Sequence, residues 1–215
     1  NGAKFTSTML AIGYYSKKVK RETKEIQVLY FVSDRKGTKG GLDIWYAEMG
    51  DKGHFKAPKN CGTKINTAGD ELSPFYNQKE EALYFSSNYH LNYGGLDAFK
   101  ALGKTKTFKD AENVGFVLNS SLDDTYFTTD SLAEEGFLVS NREGGHALIS
   151  ETCCDDIYSY KLIPPREVPL DGFAYDTTMD KSSPLIDTKV ALYLVNDKGE
   201  DSLINTNNGD SGFTN

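Results

Sequence analysis

The segment LYFVSDRKGTKGGLDIWYAEM at 29–49 returns without a gap as LYFSSNYHLNYGGLDAFKALG at 83–103. Leu29, Tyr30, Phe31, Ser33, Gly40, Gly41, Leu42 and Asp43 fall on Leu83, Tyr84, Phe85, Ser87, Gly94, Gly95, Leu96 and Asp97. A third copy, FLVSNREGGHALISETCCDDIYSY at 137–160, sets Ser140-Asn141-Arg142 on Ser33-Asp34-Arg35 and Asp156-Ile157-Tyr158 on Asp43-Ile44-Trp45, with six extra residues in its loop. The connecting segments keep the same period: FKAPKNCGTKIN at 55–66 lies over FKDAENVGFVLN at 108–119, and Asp70-Glu71 over Asp123-Asp124. A short unit repeated in this way cannot bury its faces alone, so the copies must stack.

Each unit carries about four short strand patterns, in the second copy ELSPFY, ALYFSS, DAFKAL and a weaker outer one near FKDAENV. With 13 Tyr, 12 Phe, 20 Gly and only 6 Pro, the composition favours strands punctuated by turns over helices. Four strands at a period of roughly fifty residues is the spacing of a β-propeller blade. Closed propellers have about four to eight blades. The expected fold is therefore all-β: a partial β-propeller of about three four-stranded blades, the C-terminal part of a larger one.

Other classes are disfavoured. The net charge of −7 is spread along the chain, and Lys and Arg cluster only in SKKVKRETK at 16–24, so nucleic acid is not an expected partner. No apolar run reaches the length of a membrane span, and NGAKFTSTML at the start lacks the basic and apolar regions of a signal peptide. The three cysteines, Cys61, Cys153 and Cys154, make an odd count and no disulfide framework, which leaves the redox compartment open.

Two motifs carry a resemblance. LYFSSN…GGLDAF followed by INTAGDELSPF looks like the Pro-Asp-type, TolB-like propeller repeats of exported bacterial proteins. More narrowly, APKNCGTKINTAGDELSPFY and SNREGGHALISETCCDDIYSYKL resemble the propeller of large OmpA-family, peptidoglycan-associated proteins, one branch of which, the PorE-like proteins, belongs to the type IX secretion and gliding apparatus. The resemblance spans residues 1–162. In that family a tetratricopeptide region precedes the propeller, and a carboxypeptidase-regulatory-like sandwich and a peptidoglycan-binding domain follow it. The expected organisation here is propeller blades over 1–162, a Pro-rich linker, IPPREVP, over 163–169, and the start of a truncated carboxypeptidase-regulatory-like β-sandwich over 170–215.

The recurrent positions are Ser33, Gly41, Asp43, Ser87, Gly95, Asp97, Ser140 and Asp156. A carboxylate beginning the third strand can accept backbone N–H bonds and hold a tight turn, and a residue repeated in every unit serves the unit first. The competing reading is a ring of ligand carboxylates. The glycine pairs lack the Gly-Lys-Ser/Thr ending of a phosphate loop, so they are expected to turn the backbone. CCDD at 153–156 beside His146 has adjacent cysteines, a spacing ill suited to one zinc ion. GDSGF at 209–213 echoes a serine-protease nucleophile segment around Ser211 without a recognisable His–Asp pair. Trp45, Tyr89 and Tyr93 are candidate partner contacts, since amphipathic rings suit interfaces.

The expectation is a non-enzymatic, periplasmic, outer-membrane-associated scaffold. It has no catalytic residue, no cofactor and no metal, and does not span the membrane. Its partners would be envelope or secretion-system proteins, with peptidoglycan reached through a domain outside this chain. The alternative is a glycan-binding or glycan-processing propeller whose catalytic acids lie partly outside the chain.

Overall fold

The computed structural model describes residues 9–19, 21–50, 52–146, 154–163, 188–195 and 201–209. The chain divides into two compact units, Asn1–Ile163 and Pro164–Asn215.

The first unit holds three antiparallel sheets. The first contains β1 (Leu10–Val19), β2 (Glu22–Ser33), β3 (Asp43–Glu48) and β4 (Lys59–Asn60) in sequential order. The second repeats that order with β5 (Glu71–Asn77), β6 (Ala82–Ser87), β7 (Asp97–Leu102) and β8 (Glu112–Asn113). The third comprises β9 (Asp124–Thr129), β10 (Glu135–Ser140) and β11 (Asp156–Lys161). Three strands of this sheet lie among the described residues. The registers copy one another. Ser33 pairs with Asp43, Ser87 with Asp97 and Ser140 with Asp156, so each recurrent Ser and Asp are cross-strand partners at the same end of their sheet. The basic run at 16–24 lies on the long β1–β2 hairpin, where Lys17 faces Lys24 and Val19 faces Glu22.

The first strands of successive sheets are neighbours, β1 beside β5 and β5 beside β9. Both β5 and the β9–β10 ladder carry a bulge. Ser73 in β5 and Tyr126 in β9 adopt positive φ, 50° and 49°, a left-handed conformation uncommon outside glycine. The same irregularity at equivalent positions shows that the repeat extends to the backbone and is not confined to side chains.

Strand periodicity then divides the core. Along β6 successive side chains point to opposite faces. Leu83 and Phe85 enter a cluster with Val28, Tyr30, Val32, Ile44 and Tyr46 of the first sheet, while Ala82 and Tyr84 enter another with Phe127 and Leu138 of the third. All six residues of β6 are buried as a result. In β10 and β11 the pattern becomes alternating: Leu138 is buried, whereas Phe137 and Ile157 on the opposite face are exposed. Aromatic stacking reinforces both junctions, with Tyr30 on Tyr76 at 5.2 Å between centroids and Tyr84 on Phe127 at 5.0 Å, and Phe127 stacks in turn on Tyr160 of its own sheet at 5.1 Å.

The second unit contributes one antiparallel pair, β12 (Thr188–Val195) and β13 (Asp201–Gly209), with a register shift between Leu192 and Tyr193. Residues 164–187, which hold all but the first residue of the expected linker, and Ser211 lie outside the described residues.

The two-faced burial of the middle sheet sets a contrast. Phe85→Ala should cost about 3–5 kcal/mol in denaturant unfolding, and Phe137→Ala no more than about 0.5 kcal/mol. Equal losses would contradict the assignment of the faces.

Candidate functional site

The recurrent polar residues converge at the end of each sheet where its second strand hands over to its third. Asp43 is fully buried and accepts hydrogen bonds from the backbone N–H of Lys39 (2.9 Å) and from Asn60 Nδ2 (2.6 Å). Asp97 repeats this with Tyr93 N (2.7 Å), Gly94 N (3.2 Å) and Asn113 Nδ2 (2.8 Å). Asn66 Oδ1 accepts from Ile44 N while its Nδ2 donates to Ile44 O and Asn60 Oδ1, at 2.8, 2.8 and 2.9 Å. Asn119 does the same with Ala98 N, Ala98 O and Asn113 Oδ1, at 2.8, 2.9 and 2.8 Å. In the third sheet His146 N donates to Asp156 at 2.5 Å.

A second set of bonds joins one sheet to the next. Gly41 N donates to Gly69 O (3.0 Å), Leu42 N to Asp70 Oδ1 (2.7 Å), and Glu71 N returns to Leu42 O (2.7 Å). At the following junction Gly95 N donates to Leu122 O (3.1 Å), Leu96 N to Asp123 Oδ1 (2.8 Å), and Asp124 N to Leu96 O (2.5 Å). The paired glycines follow from this close approach. A Cβ at Gly40 or Gly94 would overlap the backbone at Ala68-Gly69 or Ser121-Leu122, and one at Gly41 or Gly95 would overlap Asp70 or Asp123 Oδ1.

Two buried carboxylates follow these latches. Glu71 accepts from Thr67 N (2.9 Å), Thr67 Oγ1 (2.5 Å) and Ser87 Oγ (3.0 Å). Asp124, its counterpart, accepts from Ser120 N (2.5 Å) and Ser120 Oγ (2.9 Å) and is paired with Arg142 Nη2 at 2.5 Å. Arg142 is itself held by Ser140 Oγ, which accepts from its N (3.2 Å) and Nε (3.1 Å); Ser33 holds Arg35 through the same two atoms, at 3.3 and 3.1 Å. Burial raises the Glu71 carboxyl above its ordinary 4.5, against the opposing pull of the Thr67 and Ser87 donors.

The recurrent acids are thus engaged by backbone and side-chain donors of their own sheets. Among the described residues no group of three or more His, Cys, Asp or Glu is placed to hold a metal ion. Cys61 is buried and its thiol is pushed well above its ordinary value by that burial, which makes it unreactive, whereas Cys154 is exposed; Cys153 lies outside the described residues.

The three aromatic candidates separate. Trp45 is 7% exposed, with the Arg35 guanidinium over its ring at 5.3 Å, so its surface is covered. Tyr89 and Tyr93 stand exposed on the loop between β6 and β7. Beside them are three exposed apolar residues that sequence reasoning did not single out, Leu91, Phe116 and Val117. The signal was present. Phe116-Val117 replaces Thr63-Lys64 and Leu91 replaces Gly37 inside an otherwise repeated frame. No protein-family model and no curated protein matches the chain.

Glu71 gives a pH signature. Because its folded value lies above its unfolded one, its contribution to stability is complete below about pH 4.5 and declines as pH rises through the folded value. Comparing Glu71→Gln with the parent protein by urea unfolding from about pH 4 to about pH 7 should shift the stability difference in the variant's favour. A difference that does not change with pH would contradict the buried, raised carboxyl.

Proposed function

We propose that the three sheets are blades of a β-propeller and that the chain acts as a non-catalytic scaffold in the bacterial envelope. The observation that carries this reading is the employment of the recurrent polar residues. Asp43, Asp97, Asn66 and Asn119 are buried and bound to the strands and turns of their own sheets, while Asp70 and Asp123 join neighbouring sheets. Such residues supply rigidity to a surface of loops, and binding then comes from shape and a few anchors.

Support for the blade assignment comes from the repeated order of strands, the adjacency of β1, β5 and β9, and the identical bonding at the two junctions. In this reading the β12–β13 pair opens a carboxypeptidase-regulatory-like sandwich. The protein lies in the periplasm, associated with the outer membrane. It contacts envelope proteins, those of type IX secretion or gliding by the resemblance of its motifs, and reaches peptidoglycan through another domain.

Affinity capture from envelope extract tests this, with the purified chain as bait, the heat-unfolded chain as control and mass spectrometry as readout. Specific retention of secretion or envelope components, without release of reducing ends from glycan substrates, is the expected result. Glycan turnover by the purified chain, abolished by substituting one of its acids, would overturn the scaffold in favour of an enzyme.

A further inference from the structure

The two junctions copy each other in framework but not in the loops they present. In the first sheet the loop and turn at this end read Arg35-Lys36-Gly37-Thr38-Lys39 and Thr63-Lys64; in the second they read Tyr89-His90-Leu91-Asn92-Tyr93 and Phe116-Val117. Leu91 is 95% exposed, Val117 73%, Phe116 71%, Tyr89 63% and Tyr93 58%. Large apolar side chains so exposed, and gathered at one end of one sheet, mark a contact surface.

Hydrogen bonds draw these segments together. His90 Nε2 lies 2.9 Å from the carbonyl oxygen of Ile65, the residue after Lys64, and Asn113 Nδ2 donates to Leu91 O at 3.4 Å. Asp70 N donates to Asn88 Oδ1 at 2.8 Å while Asp70 Oδ1 accepts from Leu42 N, which ties the Tyr89–Tyr93 loop to the loop carrying Lys36 and Lys39. The apolar loop therefore sits between the basic turn of the first sheet and the strand that leads into Phe116-Val117. Next to it, Lys39, Lys64 and Lys106 line a cavity of about 390 Å³ with Gly37, Asn60 and Thr63, and among the described residues no acidic side chain lines it. Lys64 also pairs with Asp110 at the surface. A chain of net charge −7 thus gathers lysines beside its most exposed apolar loop.

We propose that this end of the first two sheets is a docking surface for an anionic phospholipid bilayer. Leu91, Phe116 and Val117 enter the acyl boundary, Tyr89 and Tyr93 lie at the headgroup level, and the lysine-lined cavity receives lipid phosphates. The composition favours lipid over a protein partner. Protein hot spots are rich in Trp, Tyr and Arg seated in desolvated pockets, with Leu and Val under-represented. A membrane interface takes aliphatic side chains into its apolar boundary, tyrosines at its polar edge and lysines toward anionic headgroups. The assignment is independent of the scaffold reading, since a peripheral lipid contact is compatible with an enzyme or a scaffold.

Co-sedimentation of the full chain with phosphatidylcholine vesicles, with and without phosphatidylglycerol, tests it. Binding should require phosphatidylglycerol and weaken as salt is raised. The triple variant Leu91→Ser, Phe116→Ser, Val117→Ser should lose about a hundredfold or more in partitioning, with an unchanged circular-dichroism spectrum because all three positions are exposed. A second readout is Leu91→Trp, whose emission should shift to the blue on adding phosphatidylglycerol vesicles, over the constant signal of buried Trp45. Absence of binding, undiminished binding by the triple variant, or unshifted Leu91→Trp emission would each overturn the proposal. So would a triple variant that abolishes self-association in sedimentation velocity while vesicles recruit neither protein, which would assign the patch to a protein contact.

Discussion

A single carboxylate oxygen accepting one backbone N–H holds each sheet against the next. Asp70 does this for Leu42 and Asp123 for Leu96, and in both cases the following residue returns a backbone hydrogen bond to the same leucine. The geometry is close enough that no side chain fits at the glycines in the loop, so Gly-Gly-Leu-Asp and Asp-Glu or Asp-Asp are two halves of one latch. Isolated small antiparallel sheets are marginal in water, and stacking is what makes them stable. The latch sets how one sheet presents its face to the next, and the apolar clusters follow from that placement.

Hydrophobic burial then supplies most of the driving force, distributed by strand alternation. The middle sheet uses both faces, through Leu83 and Phe85 on one side and Ala82 and Tyr84 on the other. The third uses the face carrying Leu138, and Phe137 and Ile157 remain exposed on the opposite one. Charge is handled differently at the two latches. Asp124 has an arginine, which offsets the cost of burying its carboxylate, whereas Glu71 relies on hydroxyl and backbone donors and shifts toward its neutral form. The first arrangement keeps an ionised group in place; the second makes that junction sensitive to pH.

The repeat made the strands readable. ALYFSS and DAFKAL correspond residue for residue to β6 and β7, because short apolar runs bounded by Ser-Asn and Gly-Gly leave little freedom in where the strands begin and end. The outer strands were harder to see: β8 is two residues long, and its register rests on Asn113 and Asn119, whose hydrogen bonds have no periodic signature. The left-handed Ser73 and Tyr126 were invisible, since neither residue type announces positive φ. At the candidate site, the recurrence of Asp43 and Asp97 was plain in the sequence, but their partners, distant along the chain, were not. Trp45 illustrates the limit of residue type. It has the ring of an interface residue, yet Arg35 covers it, while Leu91 and Phe116 were marked in the sequence only by their departure from the repeat at Gly37 and Thr63.

The claim that the latches hold the sheets together is tested most directly by native-state hydrogen exchange of the Leu42 and Leu96 amides. These two N–H groups donate to Asp70 and Asp123 and lie just before the first residues of β3 and β7. The account predicts that they exchange only through global unfolding, with the same free energy and denaturant dependence as the central β6 amides. Fast exchange of Leu42 and Leu96, with β6 still protected, would show that the sheets stand without their latches and would contradict the account.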